Sequence, residues 1–126
     1  VLTPNQTEAT FLTGLDVTDV ASATAAAEAL RGLGVPLAVV KLGELGVYYA
    51  SGSESGHVES FDVEAVDTIA AGDAFGAGLT VALCEGKSVR DAVQLGAAAG
   101  ALAVTRPGAQ EAMPERHEVD ALIARS

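Results

Sequence analysis

Hydrophobic positions recur at helical spacing at both ends of the chain and as short continuous runs in its middle. At the start, NQTEATFLTG predicts a short helix that ends near Gly14, with Asn5 as its N-cap and Glu8 three positions later, as in a capping box. A second helix is predicted over about 18–33, where Gly34 stops it. Its apolar face consists of Val20, Ala23, Ala27, Leu30 and Leu33.

The middle of the chain has the pattern of β-strands. LAVVKL at 37–42 is continuously apolar, which is typical of a strand covered on both faces. LGELG predicts a turn, in which Gly43 and Gly46 supply the backbone geometry, and this turn leads into a hairpin strand at 47–50. SGSESG is expected to form a surface loop, and HVESFDV at 57–63 a weaker edge strand.

Three further helices are predicted in the last part of the chain. The first extends from about 72 to 85, and the second is capped by Ser88 and extends to about Val104. The second contains GAAAGALA, whose small residues would let another backbone or a flat ligand approach closely. The third helix is expected to start at Pro114. This order of elements predicts an α/β fold, and so few strands for so many helices suggests further strands upstream.

Composition and charge narrow the range of partners. The 126 residues are 49% hydrophobic and 19% charged, which fits a globular domain or a piece of one. The net charge of −10 argues against a nucleic-acid or membrane partner, so phosphate would have to be bound by backbone N–H groups and a metal. The single cysteine excludes an internal disulfide and is compatible with a reducing cytosol. The start at Val1 is interpreted as processed, engineered or truncated.

The stretch DTIAAGDAF at 67–75 carries the main candidate chemistry. Small residues at 70–72 precede the predicted helix, so unpaired N–H groups and the helix dipole would form an anion site there. Asp73 at the same point could take a proton from a hydroxyl group that attacks a phosphate. An acid is also favoured in any first helical turn, so the sequence leaves a purely structural role open.

Other candidate positions have equally simple structural explanations. A capping box accounts for Asn5 and Glu8, although the same side chains could hold waters around Mg²⁺. LGELG could be a tight turn or could lie against a nucleotide. The chain has neither GxxxxGK[ST] nor GxGxxG, which excludes a Walker-type loop and gives no support to a dinucleotide fold. His57 and His117 lack partners at metal-ligand spacing and are expected to be surface or strand residues.

Taken together, these motifs resemble the C-terminal half of a sugar kinase of the ribokinase (PfkB) family. TPNQTEATFLTG resembles the stretch with the family's N-x-x-E motif, and VVKLGELGVYY resembles the strand and turn on the nucleotide side. VDTIAAGDAFGAGL resembles the second family signature, D-T-x-(G/A)-A-G-D. VTRPGAQEAMP resembles the loop that closes the nucleotide and monovalent-cation sites. The resemblance extends in order over nearly the whole chain.

The resemblance implies a role for each matching residue. Asp73 would be the catalytic base on the sugar hydroxyl, and Glu8 would organise hydrated Mg²⁺. The anion hole for the transferred phosphate would consist of Ala70, Ala71 and Gly72. The ATP-binding residues would be Asn5, Lys41, Gly43, Gly46 and Gly72. An activating K⁺ would be held by Asp67, Ile69, Val104, Arg106 and Gly108.

The chain departs from the family pattern at two positions. Ala97 stands where relatives often have Asn or His near the nucleotide base, so no side-chain contact is available there. Ala112 stands where ribokinases often offer a serine oxygen to the cation, so the K⁺ site would lack one ligand or use water.

The implied fold is a three-layer α/β/α sandwich, of which residues 1–126 would be the C-terminal nucleotide-binding portion. The sugar-binding half and the lid of the family have no counterpart in this sequence, and the chain alone is expected to be inactive. The implied reaction is ATP-dependent phosphorylation of a primary sugar hydroxyl, and the expected sugar is ribose. Fructokinase, ketodeoxygluconate kinase, nucleoside kinase and a non-catalytic nucleotide-binding remnant stay open as alternatives. The complete enzyme is expected to be a cytoplasmic homodimer.

Overall fold

The computed structural model describes residues 1–66, 68, 70–107 and 114–125, and it divides the chain into two units, Val1–Ser60 and Phe61–Ser126. The first unit contains the helices α1 (Gln6–Thr13) and α2 (Val20–Gly32) and the strands β1 (Leu37–Lys41), β2 (Val47–Ser51) and β3 (Ser55–Val58). The second unit contains the helices α3 (Ala71–Cys84), α4 (Val89–Val104) and α5 (Arg116–Arg125).

The sheet of the first unit has the order β1-β2-β3, and both strand pairs are antiparallel. A short 3-10 turn at Gly43–Leu45 connects β1 to β2 and confirms the predicted hairpin. On the other side of β1, the first residues of the chain lie parallel to it. The N–H of Leu2 donates to the carbonyl of Leu37 at 3.0 Å, and the N–H of Lys41 donates to that of Pro4 at 2.9 Å. This pairing fixes where α1 begins relative to the end of β1.

The predicted caps of the first helix are present, because they depend only on residues within one turn. The Asn5 side chain accepts from the N–H of Glu8 at 2.8 Å, and Oε1 of Glu8 accepts from the N–H of Asn5 at 3.0 Å. The second helix starts slightly later than predicted, since Asp19 caps it by accepting from the N–H of Ser22. The prediction that Leu33 belongs to the apolar face of this helix is wrong, because Leu33 is the C-cap and is 73% exposed.

The core of the first unit forms where α2 packs on β1 and β2. The helix contributes small side chains, which allow its backbone to lie close to the sheet. The whole of Leu37–Val40 is buried, as expected for a strand covered on both faces. The buried cluster comprises Ala9, Val17, Ala23, Ala26, Ala27, Leu30, Ala38, Val40, Leu42 and Ala50.

The third strand lies two residues earlier than the predicted 57–63 and is shorter. Val58 pairs with Val47, the first residue of β2, so residues after Val58 have no further position of β2 to pair with. Within the strand, Gly56 pairs with Tyr49, and a Cβ at Gly56 would lie 2.8 Å from the tyrosine hydroxyl oxygen. The length of β3 is therefore decided by its partner strand.

In the second unit, α3 and α4 pack closely along a line of small residues. A Cβ at Gly96 would lie 2.9 Å from the carbonyl oxygen of Phe75, and one at Gly78 would lie 3.1 Å from Cβ of Ala99. The small residues of the GAAAGALA stretch in α4 therefore allow another backbone to approach closely, as predicted, and that backbone belongs to α3.

The last helix begins at Arg116, two residues after the predicted start, and packs on α4 through Val119 and Leu122. Both terminal nitrogens of the Arg116 guanidinium bind the Glu85 carboxylate, at 2.8 and 3.0 Å, next to the end of α3. These hydrogen bonds hold the pKa of Glu85 below its ordinary value. None of the helices in the described ranges is long and apolar enough to cross a membrane.

Candidate functional site

The start of α3 lacks a side-chain cap. Ala70 occupies the N-cap position, and its methyl group cannot accept a hydrogen bond. The N–H of Ala71 donates to the carbonyl of Thr68 at 3.2 Å, and the first helical bond connects the N–H of Ala74 to the carbonyl of Ala70 at 2.9 Å. The α1, α2 and α4 helices are all capped by a polar side chain. Of these four helices, α3 is thus the one whose first turn has no capping side chain to accept from its N–H groups, although the N–H of Ala71 already has the Thr68 carbonyl as an acceptor.

The residues that follow Ala70 are open to solvent. Gly72 and Asp73 are exposed as the second and third residues of a 14-residue helix. The partial positive charge of the helix start favours an anion at this point. Asp73 belongs to this same first turn, so its carboxylate is a candidate to accept a proton from a group that approaches the anion.

A glycine of α4 determines how closely the first turn of α3 can approach. A Cβ at Gly100 would lie 3.1 Å from the carbonyl oxygen of Ala71 and 3.6 Å from Cβ of Phe75. Gly100 was not predicted to have any role at the candidate site. The only signal in the sequence was its place in GAAAGALA, which indicates a close approach but not the segment that approaches.

The candidate residues of the first unit lie where segment 1–5 and β1 end together. Asn5 forms an isolated parallel bridge with Lys41, so the start of α1 is next to the end of the strand. Asn5 and Glu8 are exposed and complete the capping box with each other. One carboxylate oxygen of Glu8 is used in this box, and the capping role predicted from the sequence is confirmed.

The turn after β1 contains two glycines with positive φ. Gly43 has φ of 60° and is exposed, and Gly46 has φ of 90° and is buried. Both conformations favour glycine over other residues. Two residues that sequence reasoning did not place at this site contact the turn: Nε2 of His57 lies 2.5 Å from the carbonyl oxygen of Leu45, and Oγ of Ser60 donates to that of Glu44 at 2.8 Å.

The candidate cation ligands are only partly within the described residues. Asp67, Ile69 and Gly108 lie outside them, as does Ala112. The carbonyl of Val104 accepts from the N–H of Val66 at 2.6 Å, which joins the end of α4 to the segment before the signature. Arg106 follows the end of α4, and its side chain forms an ion pair with Glu118 of α5. This ion pair lowers the pKa of Glu118.

Comparison with known proteins gives a consistent result. Residues 1–116 match the pfkB family of carbohydrate kinases. A ribokinase from Haemophilus influenzae is 42% identical over 118 residues, which cover 94% of this chain and 39% of the relative. The chain therefore spans about two-fifths of the length of this relative.

Two solved structures are similar to nearly the whole chain. The Arabidopsis thaliana ribokinase complexed with ribose and ATP superposes with a TM-score of 0.89 at 34% identity, and the match covers 99% of this chain and 41% of that one. Phosphofructokinase-2 from Escherichia coli in complex with potassium gives a TM-score of 0.87 at 26% identity, over 98% and 40%. These similarities confirm the expected ribokinase-like α/β fold.

Proposed function

The chain belongs to the pfkB family of carbohydrate kinases, and on this premise we propose that residues 1–126 are the C-terminal nucleotide-binding part of an ATP-dependent sugar kinase. The complete enzyme would transfer the γ-phosphoryl group of ATP to the primary hydroxyl of ribose and form ribose 5-phosphate. The observation that carries this proposal is the uncapped start of α3 with Asp73 in its first turn. The ribokinase relatives favour ribose as the sugar.

In the proposed mechanism, Asp73 removes the proton from the sugar hydroxyl as its oxygen attacks the γ-phosphorus in line with the leaving ADP. Backbone N–H groups at Ala70, Ala71 and Gly72 would form the anion hole and stabilise the charge on the transferred phosphoryl group. The N–H of Ala71 would exchange its 3.2 Å hydrogen bond to the Thr68 carbonyl for one to the phosphate. Helices normally begin with a side chain that caps their first N–H groups, and Ala70 cannot do this. In the proposed mechanism the substrate phosphate takes the place of that cap, which explains why the usual preference is not followed here.

The remaining nucleotide contacts would come from the first unit. Asn5 would contact the phosphates of ATP, and Lys41, Gly43 and Gly46 would lie along the nucleotide. Glu8 is exposed and uses one carboxylate oxygen in the capping box, so its other oxygen fits a water-mediated contact to Mg²⁺. Bound Mg²⁺ would neutralise charge on the phosphates.

We also propose a K⁺ site near the signature. Backbone carbonyls are suitable ligands for such a hard cation, and those of Val104 and Arg106 would contribute together with Asp67, Ile69 and Gly108. The carbonyl of Val104 already accepts one hydrogen bond and keeps a second lone pair. The potassium complex of the similar phosphofructokinase-2 supports this proposal.

The sugar pocket would lie mostly in the part of the family fold that this chain does not cover, so this chain alone would not turn over substrate. The complete enzyme would be a cytoplasmic homodimer without nucleic-acid or membrane partners. The net charge of −10 supports the lack of nucleic-acid and membrane partners, since a negatively charged chain is repelled by anionic surfaces.

A second candidate is a kinase of the same family with a different substrate, such as fructose, ketodeoxygluconate or a nucleoside. The likeness to a phosphofructokinase supports this alternative, because one fold then accommodates more than one sugar. A non-catalytic nucleotide-binding chain is the third. Assays of the complete protein with MgATP across a panel of these substrates test all three. The proposal requires the highest kcat/KM for ribose, with phosphate on the primary hydroxyl of the product.

A further inference from the structure

The carbonyl groups in the turn between β1 and β2 are all engaged. Within the turn, the carbonyls of Leu42 and Gly43 accept from the N–H groups of Leu45 and Gly46, at 3.2 and 3.1 Å, and the carbonyl of Gly46 accepts from Leu42 at 2.8 Å. The other two, those of Glu44 and Leu45, accept from side chains outside the turn. Since Leu42, Leu45 and Gly46 use their N–H groups as the donors in these bonds, the N–H groups that the turn still offers to a ligand are those of Gly43 and Glu44.

The two outside donors come from one segment, residues 57–60. Oγ of Ser60 donates to the carbonyl of Glu44 at 2.8 Å, and Nε2 of His57 lies 2.5 Å from the carbonyl oxygen of Leu45. A carbonyl oxygen can only accept, so Nε2 of His57 carries the proton in this contact. Both donors are more than ten residues away in sequence, so they fix the turn through tertiary structure.

Gly46 brings the same two segments into direct contact. A Cβ at this position would lie 2.2 Å from the carbonyl oxygen of Val58 and 3.0 Å from Nε2 of His57. No side chain could occupy that space without moving the backbone of β3. The turn 43–46 and the segment 57–60 are therefore packed as one piece.

We propose that His57 and Ser60 are positioning residues for the nucleotide, because they hold the turn 43–46 in the conformation that receives it. The inference rests on the proposed function, which gives Gly43 and Gly46 the ATP contact. A turn that is ordered before binding costs less entropy when the ligand arrives. Loss of either donor should weaken nucleotide binding and leave the chemistry at Asp73 unchanged.

The test compares His57→Ala and Ser60→Ala with the unsubstituted protein, each as the complete kinase. Each variant should raise the KM and the Kd for MgATP about three- to tenfold, the effect of one lost hydrogen bond, with kcat and the KM for sugar unchanged. His57→Gln and Ser60→Thr retain a donor and should restore most of the affinity. Ser53→Ala, in the β2–β3 connection, is the matched control. Hydrogen exchange at the amides of 43–46 should be faster in the two alanine variants only.

The outcomes separate this inference from the proposed function. Unchanged MgATP affinity and unchanged exchange in His57→Ala and Ser60→Ala would overturn the positioning role. A fall in kcat with no change in the KM for MgATP would also overturn it. If the unsubstituted protein does not bind MgATP, the proposed function fails and so does the ligand assigned to the turn. Faster exchange in the alanine variants would then still establish the contact between the two segments.

Discussion

Asp73 and Asp91 occupy the same position in two packed helices, since each is the exposed third residue of its helix, α3 and α4. They differ in what precedes them. The N–H of Asp91 donates to Oγ of Ser88 at 3.1 Å, whereas Ala70 offers no such acceptor at the start of α3. A comparison of Asp73 with Asp91 therefore distinguishes the general stabilising effect of an acid at a helix start from a chemical role that is specific to α3.

We expect Asp73→Asn to reduce turnover of the complete enzyme by at least roughly a hundredfold, the usual contribution of a general base, and to leave MgATP affinity nearly unchanged. Asp91→Asn removes the same charge from the same helical position and should leave turnover unchanged. Single-turnover kinetics and calorimetric titration with MgATP measure the two quantities. Near-normal turnover of the Asp73 variant would show that the base is another group.

Glu8→Gln should separate helix capping from a role in binding the metal. Glutamine also closes a capping box, so thermal stability should hardly change. Loss of the carboxylate should raise the Mg²⁺ concentration needed for half-maximal activity by about 10–100-fold, which is the usual effect of losing a residue that orients the direct ligands of a metal. Glu8→Ala should show the same metal effect and a lower Tm as well. If the glutamine variant has normal Mg²⁺ dependence, Glu8 only caps the helix.

Gly100→Ala should affect the start of α3 from the neighbouring helix. The new Cβ would lie 3.1 Å from the carbonyl oxygen of Ala71, so the two helices must shift by a few tenths of an ångström. A displacement of this size at the anion hole should lower kcat by about three- to tenfold. Gly76→Ala is the control, because a Cβ there has nothing within 4 Å.

The control variant should be more stable by about 0.5–1 kcal/mol, the normal gain from Gly to Ala inside a helix, with unchanged kcat. Gly100→Ala should gain less, because crowding offsets part of the helix propensity. Denaturant unfolding and steady-state kinetics of the two variants provide the comparison. Equal kcat in both would mean that the approach of α4 to Ala71 is not functional.

Arg116→Met should lower stability in a pH-dependent way. The Arg116 side chain lowers the pKa of Glu85 from its ordinary value of about 4.5, so the ionised pair stabilises the fold above that value. The contribution is lost as the pH falls through the lowered pKa of the folded state. The difference in Tm between the variant and the unsubstituted protein should therefore be a few degrees at most near neutral pH and should vanish in acid.

Arg125→Met, at the other end of α5, removes the same charge from a residue without an ion-pair partner in the part of the chain that the structure describes. It should show no such pH-dependent difference. Thermal unfolding between pH 2 and 8 distinguishes the two variants. A Tm difference for Arg116→Met that persists unchanged in acid would mean that lost packing, and not charge, is responsible.

The features that the sequence predicts well depend on residues within about one helical turn. The capping box of Asn5 and Glu8, the Ser88 cap and the glycines at 43 and 46 all belong to this class, and all are present. Because such interactions form inside one segment, a short motif contains everything that decides them. The family signature is likewise a local motif, and the family comparison confirmed the resemblance it carries.

The tertiary structure determined those features in which a residue depends on a partner far away in the sequence. Periodicity alone puts Leu33 on the apolar face of α2, yet it is exposed, and β3 ends at Val58 because its partner strand begins at Val47. The contact of Gly100 with Ala71 and that of His57 with Leu45 likewise join separate segments. A short motif shows that a residue can approach or donate, but only the packed chain determines which group it meets.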